Sequence, residues 1–187
     1  YYQSQISILR WAVELGRIEI YIDTALLSQH LVHPRQGHLE AVYHIYSYLK
    51  SHERSTMVFD DAMVQYSQAD FQTFDWTDFY GDVKEAIPPN APKPRGNPVQ
   101  TTAFVDANHA GNQVTRRSHS GILIYCNSSP IIWYSKAQAT VETSTFGSEF
   151  VALHIATELI EALRYKLRMF GIPIDGPSNV FCDNKSV

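Results

Sequence analysis

Three carboxylates in the last third of the chain have the types and placement for metal chemistry: Asp106, Glu149 and Asp183. Asp106 follows a β-rich run, residues 101–107, in which Phe104 and Val105 lead into it. Glu149 falls in the first turns of a long helical stretch announced by Thr143-Ser144-Thr145, a run of good N-caps. Asp183 closes a short apolar run, residues 179–183. If the first and last strands are parallel neighbours, both aspartates emerge at one edge, and a helix start packed across them brings Glu149 close. Clustered carboxylates repel one another and draw protons unless a cation neutralises them. Hard divalent cations want oxygen ligands, and two ions about 3.5–4 Å apart can activate a water and stabilise the leaving oxygen in phosphodiester hydrolysis. A plainer reading stands beside this one. Asp at a strand end often starts a turn, Glu in a first helical turn suits the macrodipole, and spacing alone leaves both readings open.

The elements that must position these groups are legible as patterns. Residues 121–126 (Gly121 through Cys126) and 130–134 read as two further strands, and short spacers join all three into an antiparallel meander. The long helix offers Phe146, Phe150, Leu153, Ile160, Leu163 and Leu167 as core contacts, and Gly171 and Pro173 end it. The fourth strand is reached by a helical crossover, which predicts that it runs parallel to an earlier one. The expected fold class is therefore α/β: a mixed sheet of three antiparallel strands, a helix and a parallel strand. A small helical segment precedes it. Ile6, Leu9, Ala12 and Val13 recur near helical spacing before Gly16; Ile22, Ala25 and Leu26 suggest a second helix, ended before Pro34; Leu39, Val42, Ile45, Tyr46 and Leu49 make a third stripe. These three short helices carry too little apolar area to bury a core easily alone.

The chain divides into residues 1–60, helical; 61–98, acidic and then proline-rich, read as an extended linker; and 99–187, the α/β domain. Pro88, Pro89, Pro92 and Pro94 mark the linker, because proline lacks a donor N–H and restrains the residue before it. Length (187 residues) fits one domain plus part of another, and 44% hydrophobic residues argue against wholesale disorder. No apolar run is long enough for a membrane helix. The N-terminal residues lack the pattern of a signal peptide. Two cysteines, Cys126 and Cys182, are too few for a disulfide scaffold or a cysteine zinc site, and they read as small buried hydrophobes. The net charge of -4 first argues against a polyanion partner. Its distribution reverses that argument: residues 61–92 carry 1 basic and 6 acidic groups, whereas residues 93–187 carry 9 basic and 7 acidic, and three of those seven are the candidate ligands.

Five pieces of this sequence together resemble a known family. They are Val105-Asp106-Ala107-Asn108-His109-Ala110-Gly111, Thr115-Arg116-Arg117-Ser118-His119-Ser120-Gly121, Ile132-Trp133-Tyr134-Ser135-Lys136-Ala137-Gln138, Ser144-Thr145-Phe146-Gly147-Ser148-Glu149-Phe150 and Cys182-Asp183-Asn184-Lys185-Ser186. In order and spacing they resemble the ribonuclease H domain of copia-type (Pseudoviridae) retrotransposon Pol polyproteins. Upstream, Arg17-Ile18-Glu19-Ile20, Leu27-Ser28, Pro34, His38, Ala41-Val42 and Tyr48-Leu49-Lys50 resemble the end of the reverse transcriptase and its connection. There are departures: many relatives carry Asp-Ala-Asp-Trp-Ala-Gly at 106–111, and Thr-Glu-Ala-Glu-Tyr before the helix. Both keep the acid that matters.

The resemblance implies a ribonuclease H-like fold and endonucleolytic cleavage of RNA in an RNA/DNA hybrid, supported by two Mg²⁺ (or Mn²⁺) ions. The catalytic and metal-binding set would be Asp106, Glu149 and Asp183, with Asp106 bridging both ions. A fourth Asp and a last strand are expected beyond Val187, so the chain reads as a piece of a longer polypeptide. Expected partners are the hybrid and the rest of the reverse transcriptase polyprotein, with no membrane. The setting would be intracellular: a cytoplasmic virus-like particle, and the nucleus as a second site. The alternative is a noncatalytic nucleic-acid-binding or structural remnant. Arg116 and Arg117, in a polar hairpin region, and Lys136, at a strand end, are candidate phosphate contacts; each serves equally as a solvated loop charge. Arg164, Lys166 and Arg168 suit a helix C-terminus. His109 is read as a loop histidine, and Trp133 as core.

Overall fold

Alternation in the run from Thr101 to Asn108 makes it a strand with one buried face. Ala103, Val105 and Ala107 point to one face and are buried; Phe104, Asp106 and Asn108 point to the other and are exposed. The computed structural model describes every residue except 68, 70, 72–74 and 76, so Asp70 of the acidic stretch lies outside the described residues. The elements run α1 (Tyr2–Glu14), a 3₁₀ turn (Ile18–Ile20), α2 (Tyr21–Ser28), α3 (Gln36–Ser51), α4 (Thr77–Tyr80), β1 (Thr101–Asn108), β2 (His119–Cys126), β3 (Ser129–Ala137), α5 (Thr145–Met169) and β4 (Asn179–Cys182). The sheet order is β3-β2-β1-β4. β1–β2 and β2–β3 are antiparallel and β1–β4 is parallel, which is the mixed sheet expected from the sequence.

Helix α5 covers one face. The Ser144 side chain caps it by accepting from the Gly147 N–H at 3.1 Å. Gly171, at φ +73°, turns the chain out at the other end, and its N–H reaches the Arg168 carbonyl. The buried stripe is Ser148, Glu149, Ala152, Ala156, Ile160, Leu163 and Leu167, spaced by threes and fours from Glu149 onward. Against it lie Ala103, Val105, Ala107, Ile122 and Ile124 of the sheet. Phe146 and Phe150 do not join this core, contrary to expectation. They are exposed and stack on each other at 5.9 Å, because their four-residue spacing gives them a face of their own beside the alanine stripe.

The upstream helices do bury a cluster: Tyr2, Ile6, Leu9 and Val13 of α1, Ile20, and Val42 and Ile45 of α3. They do not do so unaided. Trp133, expected inside the sheet domain, is half-buried and packs on this helical cluster from β3, supplying area that three short helices lack.

The segment between is tied to the sheet domain at both ends. The Asp60 N–H donates to Ser129 Oγ, and Asn127 Nδ2 donates to the Asp61 carbonyl, each at 2.8 Å. Further on, the Arg95 N–H donates to the Gly171 carbonyl and the Val99 N–H to the Pro173 carbonyl. Between these pins, Glu85 accepts from both Arg164 (2.6 Å) and Arg168 (2.5 Å) of α5. These arginines thus act structurally, as their position near the helix end suggested. Among the described residues no helix is long and apolar enough to cross a membrane.

The Arg164 and Arg168 guanidiniums hold the Glu85 carboxyl down at about 2, against an ordinary 4.5. A depressed carboxylate stabilises fully above its ordinary value and loses that contribution as pH falls through the depressed one. Glu85 is partly exposed, so the gain is discounted for screening. Glu85→Gln should cost about 1 kcal/mol at pH 7 in urea unfolding. That difference should shrink to nothing near pH 2; a constant difference across the range would refute the clamp.

Candidate functional site

The last β1–β4 pair is Val105↔Cys182. The residue that follows each member of this pair is an aspartate: Asp106, still inside β1, and Asp183, just past the end of β4. Phe104 and Phe181, two residues before them, face away from α5 and their rings stack at 5.2 Å; Asp106, still inside β1, shares that face. The structure thus brings the two aspartates side by side, exposed, where the parallel pairing stops. Asp106 sits two residues inside the strand rather than at its end.

Glu149 arrives from the opposite side. It lies on the buried stripe of α5 and is only 6% exposed. Its carboxylate accepts from the Ala107 N–H, just beyond the last pair of the parallel ladder, and from the Cys182 thiol at 3.9 Å. Ligand atoms of Glu149, Cys182 and Asp183 all lie within 4.8 Å of one another. Asp106 stands outside that tight group but within electrostatic reach of Glu149.

Burial is the main cause that raises the Glu149 pKa, and the like charges of Asp106 and Asp183 push it further; the Ala107 N–H pulls the other way. The Cys182 thiol is also raised, first by burial. The donor chemistry fits a hard divalent cation. Ligand oxygens of Glu149 and Asp183 lie within 4.8 Å of each other, Asp106 is near enough to act on Glu149 electrostatically, and the carboxylate that burial and its neighbours disfavour as an anion is the one a cation would most relieve.

Gln138 positions the helix start. It is 3% exposed, and its Nε2 donates to Ser120 Oγ (3.0 Å) on β2 and to the Ser148 carbonyl (2.8 Å) on α5. The residue before Glu149 is thereby bonded to the sheet. In the sequence Gln138 is only the last residue of a motif, and Cys182 reads as a small buried hydrophobe, whereas the structure leaves it half-buried with its thiol on Glu149. Nothing local to either residue marks its role, because the partners come from other elements.

The basic candidates separate. Arg116 and Arg117 sit exposed in the β1–β2 loop, at the end of the sheet toward which β1 runs. Lys136 pairs with Ser120, which pairs with Ala107, so it stands on the α5 side of the sheet. The structure does not bring Lys136 to the side of the aspartates. His109 follows β1, and its Nδ1 is buried without a partner among the described residues. On the aspartates' side a cavity of about 740 Å³ lies between Ile18, Tyr21 and Ile22 and the sheet, walled by Phe104, Leu123 and Trp133. Gly121, between Asp106 and Ser135 in the cross-strand row, leaves its floor open.

Comparison with known proteins gives a distant and partial relation. The chain is 29% identical over 90 residues (48% of its length) to the retrovirus-related Pol polyprotein from transposon RE2 of Arabidopsis thaliana, and equally to that from transposon RE1. The match spans 6% of the length of either relative. It is also 38% identical over 64 residues to secreted RxLR effector protein 161 of Plasmopara viticola, covering 34% of this chain and 45% of that protein. No protein-family model matches the chain, and no solved structure matches it significantly.

A carboxyl whose folded pKa is raised destabilises the fold above that pKa and is harmless below its ordinary one. Without divalent cations, Glu149→Gln should therefore raise Tm at pH 7 by roughly 2–4 °C, the shift for about 1 kcal/mol in a chain of this size. The two melting curves should converge in acid, near pH 4. A lower Tm for the variant at pH 7 would mean that Glu149 is a satisfied structural anion.

Proposed function

We propose that this chain carries a ribonuclease H-type site that hydrolyses the RNA strand of RNA/DNA hybrids within a retrotransposon Pol polyprotein. The convergence of Asp106, Glu149 and Asp183 where β1 and β4 part company carries this reading. The partial likeness to the two transposon Pol polyproteins supports it.

In this reading Asp106, Glu149 and Asp183 hold Mg²⁺ or Mn²⁺, which when bound supply Lewis acidity and an activated water for phosphodiester hydrolysis. The rest belongs to the chain's own residues. Asp106 and Asp183, both exposed, meet the substrate side. Glu149, fixed by the Ala107 N–H and by its place on α5, reaches the same point from behind and keeps its carboxylate aimed. A hybrid would be read by shape and 2′-hydroxyl contacts, which require no sequence code. The remaining polyprotein would be the physical partner, and reverse transcription inside a cytoplasmic particle the setting.

Two measurements test this. Mn²⁺ binding, followed by electron paramagnetic resonance, should weaken at least tenfold in Asp106→Asn and Asp183→Asn. Cleavage of a labelled hybrid with Mg²⁺ by the surrounding polyprotein should fall at least 100-fold in Glu149→Gln, an effect of about 3 kcal/mol on the barrier. A Glu149→Gln protein that cleaves as fast as the parent overturns the assignment. Hybrid binding with no cleavage by the parent favours the noncatalytic reading.

A further inference from the structure

The carboxylate crease contains a sulfur. The chain has two cysteines, and Cys182 is the last residue of β4, directly before Asp183. Its Sγ lies 3.9 Å from Glu149 Oε2, and the ligand atoms of Glu149, Cys182 and Asp183 all fall within 4.8 Å of one another. Among the described residues no other three His, Cys, Asp or Glu side chains bring their ligand atoms together so closely. Asp106 stands outside this group. Among the described residues, then, the tightest donor set is two carboxylates and a thiol rather than three carboxylates.

A mixed sulfur and oxygen set selects a different kind of ion. Mg²⁺ takes oxygen ligands, whereas thiolates favour Zn²⁺ and other soft cations. Zinc bonds sulfur at about 2.3 Å and carboxylate oxygen at about 2.0–2.2 Å, so a sulfur and an oxygen on one tetrahedral ion stand about 3.5–3.7 Å apart. The Cys182–Glu149 separation is within a few tenths of an ångström of that spacing. Asp183 is exposed and lies past the end of β4, so a side-chain rotation can bring it the rest of the way. Three protein ligands leave the fourth tetrahedral position to water.

Two further features fit such an ion. Glu149 is only 6% exposed, and neither it nor Asp183 forms an ion pair with Lys, Arg or His among the described residues. A buried carboxylate aimed at a thiol, with no counter-charge, is left for a cation to satisfy. Access is open as well. Cys182 and Asp183 both line the cavity of about 740 Å³ beneath residues 18–22, so an ion reaches the group by way of the exposed Asp183.

We propose that the crease has a second metal mode, in which Zn²⁺ is held by Glu149, Cys182 and Asp183 without Asp106. The thiol proton leaves to solvent as the metal–sulfur bond forms. Glu149 and Asp183 are then engaged, so this ion keeps hard cations from their place and inhibits the site. The zinc site rests on the residues above; the inhibition rests on the function proposed for them.

Co²⁺ is the probe, because it substitutes for Zn²⁺ and its bond to sulfur gives a charge-transfer absorption. Titrated into the whole chain, it should produce a saturable sulfur-to-cobalt band that Zn²⁺ bleaches. The band should vanish in Cys182→Ser and persist in Cys126→Ser. Cobalt affinity should fall roughly tenfold or more in Glu149→Gln and in Asp183→Asn, and change little in Asp106→Asn. Mn²⁺ binding should show the reverse, depending on Asp106 and changing little in Cys182→Ser. No band, a band that survives Cys182→Ser, or one indifferent to both Glu149→Gln and Asp183→Asn overturns the zinc site. Asp183 is exposed, so its variant keeps the test decisive even where Cys182→Ser fails to fold.

Inhibition is then read from hybrid cleavage in Mg²⁺ by the surrounding polyprotein. Zn²⁺ should inhibit the parent about tenfold more strongly than Cys182→Ser. Equal inhibition of the two would overturn the inhibitory role. Absence of cleavage by the parent, with the cobalt band and its variants as expected, would strike only the proposed nuclease activity, and the zinc site would stand.

Discussion

Helix α5 lies close on the sheet because alanines meet there. Ala152 and Ala156 on the helix and Ala103 on β1 are completely buried, and Ala107 nearly so. Small side chains on both surfaces let a helix approach a sheet closely, and interiors packed at crystal-like density do not tolerate a larger residue at such a contact without displacement. Glu149 sits at the start of this contact, so the helix–sheet distance decides whether its carboxylate reaches the Ala107 N–H. Ser144 and Gln138 set the other degrees of freedom, one by capping the first turn and one by bonding it to β2.

Two treatments of charge along helix α5 make the site intelligible. Glu85 is matched by two arginines and is held as an anion far below its ordinary range. Glu149 is buried beside two further acids and is pushed the opposite way. The domain can satisfy a carboxylate when the role is structural. Leaving one frustrated at a strand-end crease, with two exposed aspartates beside it, is the pattern expected where binding of a cation supplies the missing counter-charge.

The upstream helices share this architecture rather than standing apart from it. Trp133 plugs their cluster, Asn112 bonds to Gln29 at the end of α2, and residues 18–22 roof the cavity over Phe104 and Leu123. The exposed phenylalanines teach a related lesson. Phe146 and Phe150 look like core by type, yet the alanine stripe beside them is what the sheet accepts. Shape at the contact, not hydrophobicity alone, chose the buried face.

Much was legible in the residues alone. Strand alternation in 101–108, the turn signals between the three meander strands, the Thr143-Ser144-Thr145 run and the Gly171–Pro173 stop are local properties, carried by backbone preference and period, so the element order followed from them. The candidates Asp106, Glu149 and Asp183 were also visible, since each falls at a strand end or a helix start. Their meeting was not local. It depends on the parallel register of β1 with β4 and on how near α5 can lie, and both are set by packing between segments remote in sequence. The same holds for Cys182 beside Glu149, for Gln138 bridging β2 and α5, and for Lys136 facing away from the aspartates. Hydrogen-bond partners and burial are properties of pairs brought together in space, and only the tertiary structure decides which pairs those are.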